Sequence, residues 1–316
     1  MVTITDELVA EHRTLTGGCG LLDRSERGKL ALTGTEAKSF LAGQVTNDTV
    51  GLETGGGCYA AFLTHKGKML GDLRILATDD ELLLDTERAT LQALFDMVRR
   101  FKIGFDVELH KRTVQRGLLS LVGPGARAVA GADDLPAEEH AHRAGEIAGH
   151  PVRLIVTDVG VDVLCDAEDV DAVHIALQDA GAAPVSEAAF EIVRVERGRP
   201  RYGVDADDTT IPQEAGLNAR AVSFTKGCYV GQETVARLFY RGKPNRHLRG
   251  LRLSAPADAG AELKLGERVV GRLSSSVVSP EHGPIALGLV RREAPVGETV
   301  DVEGGASAEV VELPFA

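Results

Sequence analysis

Cysteine is scarce, and the four present, Cys19, Cys58, Cys165 and Cys228, stand too far apart for a CxxC or any other ligand spacing. That excludes a disulfide scaffold and a self-contained zinc or iron–sulphur site, and it fits a reducing cytoplasm. No metal-ligating residues are expected, because His65, His110, His174 and His247 include no pair at metal-ligand spacing. GxSxG, HExxH and a P-loop are all missing. The run Gly55-Gly56-Gly57 matches no phosphate-binding fingerprint and reads as a flexible turn. Positive charge is also short, with 35 Lys and Arg against 47 Asp and Glu, a formal charge of −12. A general nucleic-acid binder needs a dense basic footprint, so that class is disfavoured. No apolar run approaches bilayer length, and Met1 to Leu15 lacks the basic and apolar regions of a secretory signal. The expectation is a soluble cytoplasmic protein with no membrane contact.

What is present is length enough, at 316 residues, for two or three domains. The most informative stretch is Lys226-Gly227-Cys228-Tyr229-Val230-Gly231-Gln232-Glu233. Gly227 and Gly231 suit a tight turn. Val235, Leu238 and Phe239 behind them recur at helical spacing. With Gly231 as N-cap, Val230 and Val235 fall at the hydrophobic-staple positions. The pattern places Cys228 just outside a helix N-terminus with Lys226 two residues away, features that favour thiolate, while Glu233 opposes them. The plainer reading is a small apolar residue filling a turn, the usual role of a free cysteine.

Earlier in the chain, Leu8 to Leu15 is a short helical stretch. Gly28 to Gly34 reads as a strand ending in a turn, followed by a helix through Ala37, Phe40 and Leu41. The pattern returns at Leu119 to Ala126, with Leu30/Leu119, Leu32/Leu121, Gly34/Gly123 and Ala37/Ala126 in register, a hint of two related α+β halves starting near residues 30 and 119. Leu73–Ala77 and Glu81–Asp85 form a hairpin pattern, as do Val152–Thr157 and Val161–Cys165. Helices are expected over Leu91 to Val98, with Gly104 as stop, and over Asp169 to Ala180, with Gly181 as cap. From Leu248 onward short alternating runs are broken by Gly and Pro, the pattern of a small β-barrel or sandwich. The clearest boundary is Gly242-Lys243-Pro244, which divides an α+β region, residues 1–242, from a C-terminal β-barrel domain, residues 243–316.

Three features carry chemistry. Glu187 to Glu196 is a helix with an apolar stripe of Ala189, Ile192 and Val193, and Glu196 continues that stripe just before Gly198 and Pro200 stop it. A carboxylate at that end of a helix suffers desolvation and the unfavourable dipole, so it needs donors. Those donors are a salt bridge to Arg197 or Arg199, unless the stripe has simply ended, or an amidine-like ring edge such as that of a pterin or guanine. Asp72 stands at a strand entrance after Lys66 to Gly71, where a turn residue is the commoner role. Residues 226–252 hold seven Lys or Arg (Lys226, Arg237, Arg241, Lys243, Arg246, Arg249, Arg252) against one Glu. They form either a solvated face or a landing site for a polyglutamate tail, a phosphate or RNA.

With these residues laid out, the chain resembles the YgfZ/GcvT-like folate-binding family, and specifically its YgfZ branch. Lys226 to Glu233 matches the branch signature K-G-C-Y-x-G-Q-E, and agreement extends over Phe40–Asp48, Arg194–Gly203, Ile211–Leu217 and Ser279-Pro280 with Ile285–Gly288. The resemblance implies an α+β fold of two interleaved α+β domains and a C-terminal barrel around a central channel that holds tetrahydrofolate. It makes Glu196 the pterin-binding glutamate and Cys228 a functional thiol. Asp72, Lys226, Tyr229 and Arg241 join the folate site, with Asp72 near the reactive nitrogens. The T-protein aminomethyltransferase of the glycine cleavage system carries a paired Asp-Asp where this chain has Gly71-Asp72, a departure that argues against aminomethyl transfer.

The resemblance thus implies a tetrahydrofolate-binding accessory protein for assembly or repair of iron–sulphur clusters in client enzymes, including those that thiolate tRNA. The rival readings are a folate-dependent aminomethyl or other one-carbon transferase, and an RNA-associated factor using residues 226–252.

Overall fold

The computed structural model describes residues 4–315. By contacts the chain divides into two compact units. One, the two-sheet unit, is Arg13–Val185 with Ala219–Gln232. The other, the barrel unit, comprises the segment ending at His12, Ser186–Asn218 and everything from Glu233 onward.

The strands up to Val185 are β1 (Gly20–Asp23), β2 (Gly28–Thr33), β3 (Gly57–Leu63), β4 (Met69–Ala77), β5 (Leu82–Thr86), β6 (Glu108–Lys111), β7 (Arg116–Val122), β8 (His142–Ile147), β9 (His150–Val156), β10 (Gly160–Asp166) and β11 (Ala183–Pro184). The helices are α1 (Asp6–Gly17), α2 (Ala37–Ala42), α3 (Leu91–Phe101), α4 (Ala126–Ala130) and α5 (Val170–Asp179). The expected α+β class is what the structure shows, in sheets that are almost wholly antiparallel. Five strands run β3-β4-β5-β2-β6, and six run β11-β1-β7-β10-β9-β8. Both expected hairpins form, β4 with β5 and β9 with β10.

The internal repeat is visible in detail. Strand β2 in the first sheet and β7 in the second both end on a positive-φ glycine, Gly34 (107°) and Gly123 (117°). Each glycine lies against a backbone carbonyl: a Cβ on Gly34 would lie 2.2 Å from Asp106 O, and one on Gly123 2.5 Å from Gly18 O. No side chain fits either place, which is why glycine recurs there. The glycine run at residues 55–57 is not a free turn. Gly55 donates to Ala77 and accepts from His142, and Gly56 accepts from Ala77.

Alternation along β4 separates two layers. Leu73, Ile75 and Ala77 face the cluster built by Phe40, Leu41, Leu94 and Val98 of α2 and α3. Asp72, Arg74 and Leu76 point the other way, and Leu76 meets Leu83, Ile155 and Leu164 between the two sheets. The interior layer also carries charge. The row Tyr59–Arg74–Asp85–Lys29 crosses four strands in register. Arg74 reaches the opposite sheet, donating to Asp162 at 2.6 Å, and Ser120 donates to the same carboxylate at 2.6 Å. Buried charge is tolerated only when paired in this way.

In the barrel unit, α6 (Glu187–Glu196) is followed by α7 (Asn218–Ala221), which runs on into the two-sheet unit, then by α8 (Gln232–Arg241) and the strands β12 (Arg246–Leu253), β13 (Glu262–Leu265), β14 (Arg268–Ser279), β15 (Gly283–Arg291), β16 (Thr299–Val302) and β17 (Ser307–Val311). The six strands close in the order β12-β15-β14-β13-β16-β17, so the alternating texture beyond Leu248 is a barrel. Its interior is aliphatic, with Leu251, Leu263, Val270, Leu273, Val300 and Val310. Ser186 caps α6 by accepting from Ala189 N, and Gly198, at φ 64°, turns the chain out of it. Ile192 and Val195 pack on Leu248, Val277, Ile285 and Leu287 of the barrel wall. Among the described residues, no helix is long and apolar enough to cross a membrane.

Candidate functional site

Asp72 is not the turn residue that its position suggested. It lies inside β4, opposite Ala61 of β3, and is 6% exposed. Tyr59, two residues along β3 on the same face, is its diagonal neighbour and donates its phenol to the Asp72 carboxylate. Burial pushes the Asp72 carboxyl up to about 6, against the pull of the Tyr59 hydrogen bond; Glu87 adds to the rise, and Arg27 and Arg220 oppose it. The backbone there is fixed as well, since Thr86 Oγ1 donates to Asp72 O at 2.5 Å and is bonded to the Thr90 hydroxyl.

Arg220 lies over the other component of this cluster, its guanidinium 4.9 Å from the centre of the Tyr59 ring. It is held there by Glu139, to which Nε donates at 3.1 Å, and by Asp158 at 3.8 Å. Asn47 donates to Tyr59 O at 2.9 Å. No spacing signal in the sequence points to Tyr59 or Arg220. The diagonal relation of Tyr59 to Asp72 depends on strand register, and Arg220 is remote in sequence from both.

The second carboxylate of an Asp-Asp pair has no room here. A Cβ on Gly71 would lie 2.6 Å from the ring of Phe62 and 3.0 Å from Thr90 Cβ. Phe62 is fully buried and cannot swing aside without opening the core.

The Lys226–Glu233 stretch forms a loop tied down at both ends. Ser223 N donates to Thr46 O, Thr46 Oγ1 donates to Ala221 O, and Val230 N donates to Gly43 O. Gly231, at φ 84°, sits so close to Thr64 O that a Cβ would approach it to 2.5 Å. Lys226 Nζ donates to the carbonyls of Ala42 and Val45, and lies 4.7 Å from the centre of the Tyr229 ring. Burial lowers its pKa to about 8. The ammonium is therefore committed to anchoring the loop. Tyr229 is buried and its phenol is pushed up to about 12. Cys228 is exposed, unlike a turn-filling cysteine, and the residues after Gly231 form α8 as expected. On that helix Val235 is buried while Phe239 is 46% exposed, so the expected apolar stripe is covered only in part.

Of the expected site residues, Asp72, Lys226, Cys228 and Tyr229 belong to the two-sheet unit, and Glu196 and Arg241 to the barrel unit. The Glu196 side chain is 11% exposed. Its donors come from two distant segments. His12 donates from Nε2 to both carboxylate oxygens at 3.0 Å, and Ser279 Oγ donates to Oε1 at 2.6 Å. Arg241, the last residue of α8, is exposed. Within the basic strip Arg246 pairs with Glu214 at 3.1 Å and Arg249 with Glu312 at 2.7 Å.

Comparison with known proteins places these features in a family. The GCVT N-terminal domain matches residues 2–226, and the chain belongs to that family. It is 29% identical over 311 residues, 94% of this chain and 71% of the relative, to a protein of Arabidopsis thaliana named "Putative transferase At1g60990, chloroplastic". Its fold is similar to the crystal structure of the glycine cleavage system aminomethyltransferase T from Bartonella henselae, with TM-score 0.87 and 25% identity, covering 98% of this chain and 89% of that one.

Proposed function

We propose that this protein binds tetrahydrofolate and transfers a one-carbon unit, with Asp72 as the proton-handling group. The observation that carries this reading is the state of Asp72: a buried carboxyl near pH 6, hydrogen-bonded by Tyr59. A group with that affinity is mostly ionised at neutral pH yet takes up a proton at little cost, which is what general acid–base work requires. Membership of the GCVT family and the likeness to an aminomethyltransferase support transfer chemistry over a purely accessory role.

The donor sets suit a folate. Glu196 is a mostly buried carboxylate with acceptor capacity beyond its His12 and Ser279 bonds, suited to the adjacent N–H donors of a pterin edge. Reduced folate, when bound, supplies the nitrogen that takes up the one-carbon unit. Asp72 holds or accepts one proton at its carboxylate, and Tyr59 orients that carboxylate and favours its ionised form. The missing partner carboxylate at Gly71 leaves a single proton acceptor here. The test combines purified protein, tetrahydrofolate and an aminomethyl-lipoyl donor. Methylene-tetrahydrofolate should form with the wild type and not with Asp72→Asn; equal turnover by both would remove Asp72 from the chemistry.

A second reading rests on one observation, the exposed thiol of Cys228 on a loop anchored at both ends. It favours a YgfZ-type accessory factor in a reducing cytoplasm, serving iron–sulphur client enzymes that include tRNA-thiolating ones. On that reading the basic residues around Arg241 face the folate tail, a client or RNA. If folate binds without turnover, and Cys228→Ala fails to restore tRNA thiolation in a deletion strain, this second reading replaces the first. Full restoration by Cys228→Ala removes it.

A further inference from the structure

We infer that His12 and Ser279 are positioning residues that orient the carboxylate of Glu196 before a pterin arrives; the inference rests on the folate reading above. Three segments remote in sequence meet at this carboxylate: α1 through His12, the end of α6 through Glu196 itself, and the end of β14 through Ser279. His12 is 1% exposed and Ser279 2%. Two almost fully buried donors therefore address one acid whose own edge reaches solvent.

The direction of each bond is fixed. Ser279 Oγ accepts from the N–H groups of Glu281 and His282, both at 3.0 Å, so its single proton goes to Glu196 Oε1. His12 shares one Nε2 proton between the two oxygens. The main chain is pinned as well, since Glu196 O accepts from Phe315 N at 2.9 Å. A carboxylate has about four acceptor sites. His12 uses one on each oxygen and Ser279 one more on Oε1, so the remaining capacity is greatest at Oε2. The same donors hold the carboxylate in one orientation and so remove the rotamer freedom that a glutamate otherwise loses when a ligand binds. His12 and Ser279 thus act on ligand affinity through Glu196, without touching the ligand.

The test is calorimetric titration of tetrahydrofolate into the full chain and its variants, each first checked for folding by its thermal transition. His12→Ala and Ser279→Ala should each weaken binding about tenfold, and His12→Gln, which returns an N–H donor, should recover most of the loss. In a Glu196→Gln background the same changes should have no further effect, whereas a general structural role would persist there. If His12 variants unfold, Ser279→Ala with and without Glu196→Gln carries the test alone. Wild-type affinity in folded His12→Ala and Ser279→Ala, or losses that persist unchanged in the Glu196→Gln background, overturns the positioning role while leaving the folate reading intact. No binding by the wild type overturns both.

Discussion

Tyr59 donates a hydrogen bond to Asp72 across the β3–β4 pair, while burial of the same carboxylate works against its ionisation. Burial wins, and Asp72 titrates near 6 instead of 3.8. A carboxyl whose affinity for a proton rises on folding favours the fold while protonated, and that contribution is lost as pH climbs through the folded value. From below pH 4 to above pH 6, the wild type should therefore lose about 3 kcal/mol relative to Asp72→Asn, from a rise of roughly two pH units. Urea unfolding of both proteins at pH 4, 5, 6 and 7 measures this directly, and parallel stability curves would contradict it. Tyr59→Phe should shift the same window to higher pH.

Gly71 lies under the ring of Phe62. Restoring an aspartate pair with Gly71→Asp should not restore a second acid but should destabilise the fold, by about 1–3 kcal/mol from overpacking and more if the charge stays buried. Phe62→Leu in the same chain should relieve part of the steric cost. Wild-type stability of Gly71→Asp in denaturant would show that the ring moves freely.

Lys226 fastens the Cys228 loop through two carbonyls. Lys226→Met should speed hydrogen exchange at the Val230 amide, which donates to Gly43 O, and leave the barrel strands unchanged. Burial lowers the lysine to about 8, so its charged form costs stability below that pH, and the cost fades as pH rises toward 10.5. The wild type should accordingly gain on Lys226→Met between pH 8 and 10. Unchanged exchange would mean that the loop is held by its backbone bonds alone.

Cys228 is exposed, whereas burial pushes the thiols of Cys19 and Cys165 up to about 11 and that of Cys58 up to about 12. Iodoacetamide at pH 8 should label Cys228 first, and Cys228→Ala should change stability by less than about 0.5 kcal/mol. Mass spectrometry of the singly labelled protein decides it; first labelling at any other cysteine contradicts the exposure argument.

Much of the architecture was legible because it rests on local signals. Alternation with Gly and Pro breaks gave the barrel, and the 3.6-residue stripe gave α6 from Glu187 to Glu196. The repeat at Leu30 and Leu119 was legible because Gly34 and Gly123 each lie against a carbonyl. The polar interior was not. Arg74 and Asp162 look like surface residues in sequence and become buried only when two sheets are laid together, with Asp85 half-buried beside Arg74. Asp72 read as a turn residue for the same reason, since its burial comes from a neighbouring strand. Glu196 was legible as an acid needing donors, but His12 and Ser279 lie 184 and 83 residues away, where no spacing rule reaches. The Lys226–Glu233 signature led toward an iron–sulphur accessory role, whereas the family and the similar aminomethyltransferase structure give more support to folate-dependent transfer.

Folate binding through Glu196 is tested most directly by calorimetric titration of tetrahydrofolate into the wild type and Glu196→Gln. Saturable binding by the wild type and a loss of a few kcal/mol in the variant are expected, because one acceptor oxygen becomes a donor facing the pterin N–H groups. Heats no larger than dilution for the wild type, or equal affinity in the two proteins, would contradict it.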